Sequence, residues 1–119
     1  MLAIKAILAD KDQIDTLIFD EIDTGISGIT AGKVGDRLRL IGKSRQVICI
    51  THLPQIAATA DHHFLIRKKA EGTSVRTDVE MLDEAASVEE LARLLGGANV
   101  TERVMESAKE LKELAKCER

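Results

Sequence analysis

The feature that most constrains the fold is an apolar run that ends in two adjacent carboxylates. Residues 16–21 read Thr-Leu-Ile-Phe-Asp-Glu, so three apolar side chains are followed at once by Asp20 and Glu21. A short continuous apolar run is typical of a strand buried on both faces of a parallel α/β sheet. Two neighbouring acids repel each other, a cost that proteins usually tolerate in order to bind a cation. The run therefore predicts a buried strand over 15–20 with a magnesium and water site at its tip.

A second apolar run, 46–51, is followed directly by His52. Between the two runs, four apolar side chains recur at helical spacings of three, four and three residues: Ala31, Val34, Leu38 and Ile41. This periodicity predicts an amphipathic helix from Ile29 to about Gly42. The succession of strand, helix and strand predicts a right-handed crossover that pairs 15–20 with 46–51 in parallel.

The carboxyl ends of adjacent parallel strands meet at one edge of the sheet, so the two acids and the histidine are expected to converge there. In that position Asp20 could hold Mg²⁺ against phosphate oxygens, and Glu21 could activate a water molecule as general base. His52 could donate a hydrogen bond to a terminal phosphate. Each also has a plainer interpretation: a turn aspartate, a solvated glutamate and a structural histidine.

Two other groups of residues are candidate sites. Gly25 and Gly28 bracket a loop that predicts either a positive φ and close approach by another backbone, or an ordinary turn. His62 and His63, with Asp61 before them, suggest metal ligands. Neighbouring residues on a strand point to opposite faces, however, so the pair is interpreted as structural or exposed.

Beyond His52, the pattern predicts a short helix from Pro54 to about Thr59 and then an antiparallel edge ribbon. The ribbon consists of a strand that begins at His63 and a strand from Ser74 to Leu82. Four residues of the second strand alternate on one side: Val75, Thr77, Val79 and Met81.

Two helices are predicted to close the chain. Ser87-Val88-Glu89-Glu90 has the form of a capping box ahead of an apolar stripe, and Gly96-Gly97 is a stop signal. Asn99 is then predicted to cap the last helix.

Composition excludes several classes of protein. The 119 residues fit one domain with one core, and no apolar run approaches the ~20 residues needed to cross a bilayer, which predicts a cytoplasmic location. The two cysteines, Cys49 and Cys117, form neither a disulfide framework nor a metal knuckle. A net charge of −3 argues against a nucleic-acid-binding surface on this segment by itself.

Two stretches carry a resemblance to a known family. Residues 19–28, Phe-Asp-Glu-Ile-Asp-Thr-Gly-Ile-Ser-Gly, and residues 50–57, Ile-Thr-His-Leu-Pro-Gln-Ile-Ala, resemble the Walker B, D-loop and switch-histidine succession of ATP-binding-cassette ATPases. Within that group they are similar to the bacterial SMC-like DNA repair proteins. The stretch 89–97, Glu-Glu-Leu-Ala-Arg-Leu-Leu-Gly-Gly, extends the resemblance towards the end of the chain.

The resemblance implies the fold and the site. The fold class is α/β, a partial P-loop NTPase head with parallel strands, crossover helices, an antiparallel edge hairpin and C-terminal helices. Glu21 and His52 are implied to be catalytic, as base and γ-phosphate sensor, and Asp20 is implied to be the Mg²⁺ ligand. Six residues are implied to contact the nucleotide: Asp20, Thr24, Gly25, Ile26, Ser27 and Gly28. The cofactors of the intact protein are then ATP and Mg²⁺.

The resemblance also implies what lies outside 1–119. The sequence has no Gly-x-x-x-x-Gly-Lys-Ser/Thr loop, so the chain is interpreted as the C-terminal lobe of a head, without the Walker A lobe, signature motif and coiled coil. Its implied partners are the rest of the head and a second head, with DNA bound through other regions and no membrane. The intact protein is expected in the cytoplasm, associated with the nucleoid, and the lobe is expected to be inactive alone.

Three classes of function remain open from the sequence. The favoured one is the ATPase lobe of a double-strand-break repair and recombination protein. The runner-up is a non-catalytic interaction module, for which Glu21→Gln would change nothing. The third is a small metal-dependent phosphodiesterase that uses Asp20, Glu21 and Asp23 with His52 or His63.

Overall fold

The computed structural model describes residues 13–20 and 25–117. Its elements, in chain order, are β1 (Thr16–Asp20), α1 (Gly28–Gly42), β2 (Gln46–Ile50), α2 (Pro54–Ala57), β3 (His63–Glu71), β4 (Ser74–Leu82), α3 (Glu84–Gly96) and α4 (Glu102–Cys117). The chain divides into two compact units, a first unit up to Thr59 and a second unit from Ala60. The mixed α/β succession confirms the predicted fold class.

The first unit contains the predicted parallel pair. β1 and β2 run parallel in a register that aligns Thr16 with Gln46 and Asp20 with Ile50. One face of β1 is buried, since Leu17 and Phe19 are 9% and 0% exposed. These two side chains pack with residues of α1 and α2: Ala31, Leu38 and Ile56. The helical stripe read from the sequence therefore covers this sheet face, and the predicted amphipathic crossover helix is confirmed.

The prediction that β1 is buried on both faces is wrong for the described residues. Its burial alternates strictly, and Ile18, on the face opposite Phe19, is 61% exposed. On β2 the exposed apolar residues on that face are Ile48 and Ile50. The described helices α1 and α2 pack on the other face, which explains why only one side of the strand is covered.

Helices α1 and α2 pack closely at Gly35. A methyl group added there would lie 2.9 Å from Thr59 Cγ2 and 3.2 Å from the carbonyl oxygen of Gln55. Contacts this short leave no room for a side chain, so a glycine is required where the backbone of α2 approaches α1.

The second unit begins with the predicted antiparallel ribbon. β3 and β4 pair from His63 opposite Leu82 to Glu71 opposite Ser74, and Gly72 in the turn has φ 62°. The predicted alternation on β4 is confirmed, because one side of the ribbon carries an exposed apolar set: Phe64, Ile66, Val75, Val79 and Met81. The other side includes Leu65 and Leu82, both partly buried.

The two terminal helices exist as predicted, but both predicted caps are wrong. α3 begins at Glu84, and the Asp83 side chain accepts a hydrogen bond from the Ala86 N–H at 2.8 Å. Before α4, the Thr101 hydroxyl accepts from the Val104 N–H at 3.3 Å. The predicted cap Ser87 is instead a buried residue inside α3, 2% exposed.

The predicted stop of α3 is confirmed. Gly97 is the C-cap with φ 61°, and its N–H donates to the Arg93 carbonyl. α3 and α4 then pack against each other, and Ala92 on α3 and Ala108 on α4 are both fully buried. A methyl group on Gly96 would lie 3.0 Å from Val104 Cγ1, so the helices also approach closely at that point. Among the described helices, none combines the length and apolar character needed to cross a membrane.

Candidate functional site at the carboxyl edge of the parallel strands

The register of the first unit brings two predicted site residues to the same edge of the sheet. Asp20 is the last residue of β1 and lies opposite Ile50, the last residue of β2. His52 follows two residues later, and both Asp20 and His52 are exposed. The carboxylate and the imidazole therefore face solvent at the carboxyl ends of adjacent parallel strands, where open α/β sheets bind ligands.

The turn that carries His52 is held by backbone and side-chain hydrogen bonds. The Leu53 N–H donates to Thr51 Oγ1 at 3.0 Å, and the Leu53 carbonyl accepts from the Ile56 and Ala57 N–H groups, both at 3.1 Å. Pro54 occupies the first turn of α2, where its missing N–H costs nothing. Thus the position of His52 is tied to α2.

The loop before α1 and the first residue of that helix contain four of the predicted nucleotide contacts. Gly25 has φ 76°, a left-handed conformation that favours glycine. Ile26 packs against the apolar core. Ser27 is the N-cap of α1, and its carbonyl accepts from the Ala31 N–H at 2.8 Å, while its hydroxyl lies 3.3 Å from Thr30 Oγ1. Gly28 opens the helix. The positive φ read from the sequence is therefore found at Gly25.

The predicted catalytic base Glu21, the acid Asp23 and the predicted contact Thr24 lie outside the described residues. Their roles stay predictions. Within residues 13–20 and 25–117, no three His, Cys, Asp or Glu side chains form a group that could hold a metal ion.

The described donors fit a magnesium nucleotide. A carboxylate at a strand tip is a hard oxygen ligand, and Mg²⁺ is usually held by one or two carboxylates together with water and phosphate oxygens. Asp20 provides such an oxygen at the exposed end of β1. His52 provides nitrogen atoms that can donate to a phosphate oxygen beyond the end of β2.

A second polar cluster, in the second unit, was not predicted from the sequence. Ser87 Oγ lies 2.8 Å from His63 Nδ1 and accepts a hydrogen bond from Lys112 Nζ at 3.1 Å. Ser87 and Lys112 are 2% and 6% exposed, so this cluster is enclosed. The signal that could have found it is the helical period, since Ser87, Leu91 and Leu94 share one stripe of α3.

The electrostatics of the cluster favour a neutral histidine. Burial lowers the pKa of His63 below its ordinary value of 6.5, the charge of Lys112 lowers it further, and the charge of Glu90 acts in the opposite direction. A neutral imidazole with its proton on Nε2 can accept the Ser87 O–H at Nδ1 while Ser87 accepts from Lys112. The prediction that His63 is structural fits these contacts, and His62 is exposed.

The cluster borders an ion pair on α3 between the buried carboxylate of Glu90 and the exposed guanidinium of Arg93. Glu90 is 8% exposed, and its two carboxylate oxygens accept from Nε and Nη2 of Arg93, at 2.9 Å and 2.5 Å. The hydrogen bond to Glu90 raises the pKa of Arg93. Because a buried carboxylate needs a partner, this pair is part of the packing.

Comparison with known proteins finds similar sequences among DNA repair proteins. It is 46% identical to DNA repair protein RecN of Halalkalibacterium halodurans over 97% of this chain, and 47% identical to RecN of Vibrio cholerae over 92% of it. Over its whole length it is 40% identical to RecN of Streptomyces coelicolor. The chain is RecN-like. It spans about a fifth of the length of these relatives, 20% for the first.

A solved structure supports the fold independently. A chain from work on ATP-driven dimerization and DNA-stimulated activation of SMC ATPases aligns with a TM-score of 0.62 and 22% identity. The alignment covers 78% of this RecN-like chain and 55% of the solved chain. At that identity the likeness shows the fold, a partial P-loop NTPase head. No family model matches the chain.

Proposed function

We propose that this chain is the C-terminal lobe of a RecN-like ATPase head and supplies the Walker B, D-loop and switch-histidine residues for ATP hydrolysis. The observation that carries the proposal is the register that ends β1 and β2 together, with Asp20 and His52 exposed at one edge. The similarity to RecN over nearly the whole chain supports it.

Each site residue then has a chemical task. Asp20 holds Mg²⁺, and Glu21 accepts the proton of the attacking water. His52 donates a hydrogen bond to the terminal phosphate, and residues 24–28 contact the nucleotide from the loop before α1. Bound MgATP supplies the phosphoryl group, and the protein positions it and offsets its charge.

The partners follow from what the lobe lacks. The sequence carries no phosphate-binding loop, so the rest of the head has to provide one. The exposed face of β1, with Ile18 at 61%, offers an apolar surface for that part of the protein. A second head would then meet the loop 24–28, since the related SMC ATPases dimerize in an ATP-driven manner. The whole protein would act on DNA breaks in the cytoplasm.

The test is a graft, in which this chain replaces the matching segment of a longer RecN protein. RecN of Bacillus subtilis is 40% identical to this chain over 111 residues, which are 19% of that protein, so the matching segment can be replaced by this chain. The grafted protein is expected to hydrolyse ATP, and Glu21→Gln is expected to lower kcat by about 10²–10⁴-fold because it removes the general base. Asp20→Asn is expected to lower activity as well, with a raised Mg²⁺ requirement.

The matched control is Asp15→Asn. Asp15 is exposed and directly precedes β1, at the opposite end of the strand from Asp20, so its loss should leave hydrolysis unchanged. A folded graft that hydrolyses ATP equally well with Glu21→Gln would contradict the proposal and favour the interaction module. As a second control, calorimetry should detect no ATP binding by the 119-residue chain alone at millimolar nucleotide.

A further inference from the structure

One side chain lies between the two segments that carry the described site residues. α1 starts at Gly28, directly after the loop residues 25–27. α2 starts at Pro54, two residues after His52. Gln55, the second residue of α2, reaches the start of α1. Gln55 therefore contacts Gly28, which follows the loop residues 25–27, and it belongs to the helix that follows the His52 turn.

The contact at Gly28 is close. A methyl group added to Gly28 would lie 3.2 Å from Gln55 Nε2 and 3.8 Å from Gln55 Cδ. The first distance is shorter than an ordinary van der Waals contact, so a side chain at Gly28 would push the amide of Gln55. Elsewhere on α1, a methyl group on Gly32 would meet nothing within 4 Å. The Gln55 side chain thus approaches α1 closely at the first turn of the helix and not at Gly32.

The contact also has a rigid connection to His52. The Gly35 contacts with the Gln55 carbonyl and Thr59 fix α2 against α1 at a second point. At the other end of α2, the Leu53 carbonyl accepts the first hydrogen bonds of the helix, and the Leu53 N–H is bound to Thr51 Oγ1. A displacement of Gln55 therefore reaches the His52 turn through a short, hydrogen-bonded helix.

The stability of the fold does not explain why residue 55 has a polar side chain. Its Oε1 atom is buried, and no described residue donates a hydrogen bond to it. A buried acceptor without a donor loses its hydration and gains nothing in return, so an apolar side chain of similar length would fill the same space at lower cost. An unsatisfied buried group in a folded protein calls for a reason other than packing.

We propose that Gln55 is a positioning residue that couples the loop residues 25–28 to His52, so that a displacement of either segment moves the other. The inference rests on the proposed function, because it assigns the coupling to two parts of the proposed nucleotide site. In that site, a ligand at the edge of the sheet that displaces residues 25–28 also displaces the His52 imidazole, and the reverse holds.

The experiment uses the 119-residue chain and no nucleotide. Its result therefore does not depend on whether the grafted RecN hydrolyses ATP. Histidine ring resonances are recorded by NMR for wild type, Gly28→Ala, Gln55→Ala and the double variant. Gly28→Ala is expected to shift the His52 resonances because the new methyl group displaces the amide. In the Gln55→Ala background the same substitution is expected to shift them no further.

Two controls separate coupling from a general disturbance. Gly32→Ala lies on the same helix with open space around it, so it should leave His52 unchanged, and the exposed His62 serves as an internal reference in every sample. A Gly28→Ala shift that is the same with and without Gln55, or that is absent, would overturn the proposal.

A conservative variant, Gln55→Met, tests whether the amide group of Gln55 is needed for the coupling. It can also be measured if the alanine variants unfold. Gln55→Met has similar length and lacks the unpaired acceptor. It is expected to keep or raise the urea midpoint of the chain while shifting the backbone amide resonances of residues 25–28. A lowered midpoint without a local shift would show that the amide is only structural and would contradict the proposal.

Discussion

The two compact units hold their elements together by different means. In the first unit the strands and helices meet through an apolar core around Phe19, and the polar groups of interest stand at the open edge of the sheet. In the second unit a polar chain of His63, Ser87 and Lys112 is enclosed between β3, α3 and α4. The polar residues at the open edge are exposed to solvent, whereas the enclosed ones form hydrogen bonds with one another.

This difference separates two kinds of histidine in one chain. His52 follows a strand and is exposed, while His63 begins a strand and is bonded to Ser87. Both residues are histidines next to a strand, and the tertiary surroundings decide that one is exposed and the other enclosed. Substitutions in the apolar core around Phe19 and in the polar chain around Ser87 therefore test the two kinds of packing separately.

The largest expected effect concerns the covered face of β1. Phe19→Ala removes a fully buried ring and is expected to lower the free energy of unfolding by about 3–5 kcal/mol, through lost burial and the cavity left behind. Urea unfolding followed by circular dichroism measures it. The neighbouring Ile18→Ala, on the exposed face, is the control and should cost under about 1 kcal/mol. Equal losses would contradict the burial of one face only.

A smaller effect is expected from the polar chain of the second unit. Ser87→Ala leaves His63 Nδ1 and buried Lys112 without their shared partner, which should cost about 1–3 kcal/mol. Ser107→Ala, at an exposed position of α4, should stay within about 0.5 kcal/mol. If both variants unfold at the same urea concentration, the enclosed chain contributes nothing to stability.

The pH dependence of the free energy of unfolding should reflect the same cluster of His63, Ser87 and Lys112. Because the pKa of His63 is lowered in the folded chain, folding favours the neutral imidazole. Its stabilising contribution is complete above the unfolded value of about 6.5 and is lost as pH falls through the lowered pKa. The measurement is an NMR titration, in which the midpoint of His63 should lie below the ordinary histidine value of about 6.5.

Removing the nearby cation should reverse part of this shift. Lys112→Met is expected to raise the pKa of His63 towards its ordinary value, since the charge of Lys112 is one of the causes that lower it. Lys109→Met, at an exposed position of the same helix, is the control and should leave the titration unchanged. If the pKa of His63 is unchanged in the Lys112 variant, the charge of Lys112 does not lower it and burial is the remaining cause.

The smallest effect distinguishes the observed cap of α4 from the predicted one. Thr101→Ala removes the acceptor for the Val104 N–H and should cost about 0.5–1 kcal/mol. Asn99→Ala should have no measurable effect, because Asn99 is exposed and lies two residues before the capping position. Thermal unfolding of the two variants decides between them.

Local signals predicted most of the secondary structure. The apolar run at 16–20, the helical spacing that begins at Ala31 and the alternation from Ser74 to Leu82 each specify an element through contacts between near neighbours. The caps were harder to predict. Several Ser, Asn and Thr residues near a helix start can each accept a backbone hydrogen bond, and the packing of Ser87 against His63 and Lys112 removed it from that competition.

The sequence by itself determined the strands that end in Asp20 and before His52, their parallel pairing and the likeness to RecN. These depend on periodicity and on motifs read along the chain. Only the tertiary structure decided that β1 is covered on one face, that Ser87 joins His63 to Lys112, and that Gln55 meets Gly28. The physical reason is that burial and hydrogen-bond partners depend on residues far apart in the chain, which no local pattern specifies.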